Sequence, residues 1–70
     1  MISPDDIEKR FVYYPPSDEQ RLRYEGMRAK AKELALEMYS KAPDSRELSL
    51  AITKLEESVF WFNAAVARNS

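Results

Sequence analysis

The sequence predicts an all-α protein: a short N-terminal helix, an extended segment, then one long antiparallel helical hairpin. Three observations predict it. A single glycine, Gly26, in 70 residues leaves little capacity for the tight turns of a β-rich fold. Four prolines, Pro4, Pro15, Pro16 and Pro43, cut the chain where helices begin or end. The two longer pieces between those cuts carry apolar residues at helical spacing.

The first element follows from Ser3-Pro4-Asp5-Asp6, an N-cap, a proline at the first helical position and acids in the first turn. It predicts a helix near residues 4–10. Phe11-Val12-Tyr13-Tyr14-Pro15-Pro16 is β-branched, aromatic and doubly proline-locked, hence extended. Ser17-Asp18-Glu19-Gln20 is a capping box that opens a helix running to about Lys41. Gly26 costs that helix ~1 kcal/mol relative to alanine, too little to end it. Pro43 ends it. Asp44 or Ser45 caps the next helix, with Glu47 near the third position, and that helix runs to about Arg68. A connection of a few residues sets the two long helices antiparallel. Residues 1–70 read as one helical-hairpin domain, without repeat or linker.

In the first long helix Tyr24, Met27, Ala31, Leu34 and Met38 alternate at spacings of three and four. In the second, Leu48, Ile52, Leu55, Val59, Phe62 and Val66 do the same. These two seams predict the hairpin core. Further apolar residues remain: a stripe of Leu22, Ala29 and Leu36, and Phe60 and Trp61 beside the second seam. A two-helix hairpin has one inner face, and each large side chain left in water forgoes roughly 1.5–3 kcal/mol. Self-association is the expected solution for so short a chain. A line of Ser49, Thr53, Glu56, Phe60, Asn63 and Ala67 mixes small, polar and aromatic groups. That mix suits a contact between subunits better than an ordinary amphipathic flank. Phe60, Trp61 and Asn63 are the candidate interface residues.

Composition narrows the function. With no cysteine and no histidine there is no disulfide framework, Cys/His zinc site, thiol nucleophile or Ser-His pair. No carboxylate cluster at metal-ligand spacing and no Gly-rich phosphate loop is present. The expectation is a protein that is not an enzyme and holds neither metal nor cofactor. The longest apolar run, Val59 to Phe62, is far short of the roughly 20 residues of a membrane span. Residues 1–6 lack the basic start and apolar stretch of a signal peptide, so a cytoplasmic location is expected.

Charge is balanced overall, with 11 Lys and Arg against 12 Asp and Glu, but not locally. Arg21, Arg23, Arg28, Lys30 and Lys32 crowd around one acid, Glu25, just after Tyr13-Tyr14-Pro15-Pro16. A solvated face partly paired with Glu33 and Glu37, and with Arg28 set against Glu25, is the ordinary explanation of such a stretch. Aromatic rings next to cations are also the parts that hold a base and its phosphate. A net charge of −1 argues against long DNA or RNA, which calls for a wide basic surface, and favours a compact anion.

Four stretches resemble a known family: Phe11-x-Tyr13-Tyr14-x-Pro16, Arg23-Tyr24-x-x-Met27-Arg28-x-x-Ala31-Lys32, the run from Pro43 through Glu57, and Trp61-x-Asn63-Ala64-Ala65-x-Ala67-Arg68-Asn69. Over about residues 11–69 the chain resembles the helical-hairpin domain of phage anti-CBASS sponges, which is related to that of anti-Thoeris sponges. The resemblance implies a homohexamer that works in the cytoplasm of the infected bacterial host. It implies binding of cyclic dinucleotides between subunits, and of cyclic trinucleotides at separate sites in some members, without hydrolysis. The position that stacks on a base corresponds to Tyr13 or Tyr14. The basic position corresponds to Arg28, with Lys32 on the same face. A trinucleotide site at the start of the second long helix would involve Arg46, Ser49 and Thr53. Two other classes stand beside this one: a structural helical oligomer or partner-binding module using Phe60 and Trp61, and a small nucleic-acid binder.

Overall fold

The computed structural model describes all 70 residues as three helices and no strand. Helix α1 spans Pro4–Arg10, α2 spans Asp18–Lys41 and α3 spans Arg46–Asn69. Each begins where a serine can cap it. Ser3 Oγ accepts from the Asp6 amide at 3.2 Å, and the Asp6 carboxylate accepts from the Ser3 amide at 3.0 Å. Those bonds from Ser3 hold the Asp6 carboxyl below the usual carboxylate range. Ser17 and Gln20 form the same reciprocal box at the start of α2. At α3 the cap is Ser45, whose Oγ accepts from the Leu48 amide at 3.1 Å. The third helical position is therefore Leu48, Glu47 falls one residue early, and no box forms there. Ala42 turns extended ahead of Pro43 and closes α2.

Four residues join α2 to α3, and the two pack along their lengths as an antiparallel pair. The Cα trace measures 44 × 32 × 13 Å, a flat slab. Such a slab has a thin core. Only Leu48 and Val66, near the two ends of α3, are buried. Ile52, Leu55, Val59 and Phe62 between them are half-buried, so the α3 seam is the predicted one. On α2 the contact line differs from the expected seam. It runs through Tyr24, Ala31, Ala35 and Met38, all half-buried, while Met27 and Leu34 stay 39% and 43% exposed. Ala31 and Ala35 lack bulk, so α3 can approach α2 on their side, and the two larger residues are left at the margin. Leu22, Leu36, Phe60 and Trp61 are all more than half exposed.

Candidate functional site

The close approach at Ala31 and Ala35 leaves a groove along one broad side of the slab. Its α2 wall carries Arg28 and Lys32, one turn apart. Its α3 wall carries Thr53, Glu56, Phe60 and Asn63, and Ile52, Leu55 and Val59 lie along its length. Its volume is about 480 Å³. Small-ligand sites run from roughly 300 to 1,000 Å³.

The groove is cationic on its α2 wall, and no acid lies within ion-pairing distance of Arg28 or Lys32. Arg21 pairs with Asp18 at 3.9 Å and Arg23 with Glu19. Glu37 pairs with Lys41 at 2.7 Å and Glu57 with Lys54 at 3.3 Å. Arg28 and Lys32 enter no ion pair, and the ordinary Arg28–Glu25 pair does not form. Two cations in no ion pair, separated by one helical turn, can together hold an anion on the wall away from Glu56. On the facing wall Asn63 buries its Oδ1 with no hydrogen-bond donor on it. Buried acceptors in this state are uncommon in folded proteins.

Of the seven candidate ligand-binding residues, the fold brings Arg28, Lys32 and Thr53 together in this groove. Phe60 and Asn63, read from sequence as interface residues, line it too, and Trp61 does not. Glu56, a member of the line expected to contact another subunit, also faces it. The line from Ser49 to Ala67 was the available signal, since its four middle members form the α3 wall. Arg46 and Ser49 sit on the first turn of α3, outside the groove.

The two tyrosines lie at the open end of the hairpin and have different surroundings. Tyr14 is half-buried and donates its hydroxyl to the Lys9 carbonyl at 3.0 Å, tying α1 to the body. It borders a second hollow of about 470 Å³ with Pro15, Pro16, Gln20, Arg23 and Ser70. There Gln20 donates to the Ser70 carbonyl at 3.3 Å, and Lys9 reaches Asn69 Oδ1 at 3.4 Å. Tyr13 is 81% exposed. No group of three or more acidic, histidine or cysteine side chains is placed to hold a metal ion. No helix is long and apolar enough to cross a membrane.

No curated protein and no solved structure matches the chain. A family model does, the Acb2/Tad1 hairpin domain, over residues 3–67. That match takes in all but the ends of the chain and includes α1, α2, α3 through Ala67 and every residue of the groove. The chain therefore belongs to the Acb2/Tad1 hairpin family, the anti-CBASS and anti-Thoeris sponges.

Proposed function

We propose that the protein is a phage anti-defence sponge that binds the cyclic dinucleotide messengers of CBASS, and cyclic trinucleotides at a separate site, and holds them without cleaving them. The observation that carries this is the groove itself: Arg28 and Lys32, unpaired, face a wall of Thr53, Phe60 and Asn63. Cations suit the phosphates, and the aromatic and polar wall suits the rest of a nucleotide. Family membership supplies the sponge-type role, and capture lowers the free messenger in the host cytoplasm.

The site is completed between copies. Tyr13 is exposed and makes no hydrogen bond, so its ring is free to stack on a base held by another copy's Arg28 and Lys32. Tyr14 is already committed to Lys9. A homohexamer accounts for the apolar residues that one hairpin leaves in water, with Trp61, Leu22 and Leu36 covered between subunits. Phe60 and Asn63 lie where such an interface meets the groove. Arg46 and Ser49, at the start of α3, belong to the trinucleotide site, which borders the groove at Thr53.

Calorimetric titration with a panel of cyclic di- and trinucleotides, followed by chromatography of the ligand released on heating, tests this reading. Saturable binding and intact ligand are expected. Absence of heat with every member of the panel, or product that grows with time, would overturn it. A well-behaved helical oligomer with no nucleotide binding would instead favour a structural or partner-binding role for Phe60 and Trp61.

A further inference from the structure

The two walls of the groove are chemically unlike. The α2 wall offers only cationic donors, Arg28 and Lys32. On the α3 wall Phe60 and Asn63 stand three residues apart, so their side chains share one face of the helix. Phe60 is 62% exposed although it lines a concave site, which leaves its ring open to a flat partner. Asn63 lines the groove and its side-chain amide makes no hydrogen bond within the chain, so it keeps both a donor and an acceptor unspent. Half a turn about Cβ–Cγ exchanges the two ends, so the same side chain can present either. An open ring beside an amide that can donate or accept is what a nucleobase requires. The ring stacks on its face and the amide pairs with its edge. Glu56, on the same wall, repels phosphate and so favours its placement on the α2 side.

We infer that the α3 wall is a base platform: Phe60 stacks on a nucleobase of the ligand and Asn63 hydrogen-bonds to its edge, while Arg28 and Lys32 across the groove take the phosphate. This rests on the cyclic-nucleotide reading above and extends it. A dinucleotide has two bases, and Tyr13 of another copy serves one. Phe60 serves the other.

The test combines calorimetry with one cyclic dinucleotide and sedimentation of the same samples, for Phe60→Leu, Phe60→Tyr and Asn63→Leu in the full chain. Phe60→Leu should weaken binding about tenfold or more, the range for loss of a stacked base, with an unchanged salt slope. Phe60→Tyr keeps the ring and should stay within about twofold of the unsubstituted chain. Asn63→Leu should weaken binding roughly fivefold, the worth of one neutral hydrogen bond. All three should keep the assembly of the unsubstituted protein. The platform is wrong if Phe60→Leu binds as tightly as the parent, if Phe60→Tyr loses as much as Phe60→Leu, or if the Leu variants dissociate the assembly. If the unsubstituted protein binds no cyclic dinucleotide, the sponge reading fails along with the platform. If it binds and Phe60→Leu changes nothing, only the platform fails.

Discussion

The two outer sides of this hairpin solve different problems. The groove side collects polar atoms without partners: Arg28, Lys32 and the buried Asn63 Oδ1. The stripes running along the backs of the helices collect apolar area instead, with Leu22 68%, Leu36 59% and Trp61 64% exposed. Unpaired polar groups are satisfied by an anion or a base, whereas bare apolar area is satisfied by another protein surface. One thin hairpin therefore needs two kinds of partner: a substitution in the groove should leave the assembly intact, whereas loss of the assembly should also remove the Tyr13 that another copy supplies to the ligand.

The largest expected effect lies on the apolar side. Trp61→Ala should cost roughly 3–5 kcal/mol if the ring is buried between copies. At its exposure within one chain it should cost no more than about 0.5 kcal/mol. Denaturant unfolding at several protein concentrations separates these, and the larger, concentration-dependent loss is expected.

Next comes the groove. Arg28→Ala should weaken cyclic-dinucleotide binding at least about tenfold, since a charge-assisted hydrogen bond is worth roughly 1.5–3 kcal/mol. It should also flatten the salt dependence of binding, while the assembly seen by sedimentation stays as it was.

The tyrosines sharpen the contrast. Tyr13→Ala should lower affinity by about tenfold or more with little change in thermal stability, as expected for a stacking ring. Tyr14→Phe removes the bond to the Lys9 carbonyl and should cost about 1 kcal/mol of stability with affinity kept. The reverse pattern would exchange their roles.

Local chemistry is why so much of the fold was legible in the sequence. The boxes at Ser3 and Ser17 and the stop at Pro43 each depend on residues within four positions, so α1 and α2 were visible with their ends. Even the choice between Asp44 and Ser45 was narrowed to neighbours. The contact line on α2 was not legible, because it depends on how closely α3 approaches. Ala31 and Ala35 control that approach, and no periodicity in α2 alone distinguishes Ala35 from Leu34. The groove is a property of the pair for the same reason. Arg28 and Lys32 were visible as a basic face, and Thr53, Phe60 and Asn63 as a line on α3, but their facing each other across one hollow is tertiary. Tyr13 and Tyr14 look equivalent in sequence, and the tertiary surroundings tell them apart: Tyr14 is half-buried and bonded to the Lys9 carbonyl, whereas Tyr13 is exposed.

Two smaller effects probe the helices that carry both sides. A Cβ at Gly26 meets nothing within 4 Å, so Gly26→Ala should stabilise α2 by ~1 kcal/mol, read as a rise in Tm. A fall would place Gly26 against another copy. The Asp6 carboxyl titrates below its unfolded value, so its cap is fully present above the ordinary aspartate pKa of about 3.9. That contribution fades as pH drops through the lower folded value. Protection of the α1 amides, taken relative to their intrinsic exchange rates, should therefore fall below about pH 4, and Asp6→Asn should remove most of that pH dependence.

The groove as an anion site is tested most directly by calorimetric titration of the full chain with one cyclic dinucleotide, beside Arg28→Ala. The predicted result is saturable binding by the parent and affinity at least about tenfold weaker in the variant, with both proteins sedimenting alike. Superimposable isotherms for the two would contradict it.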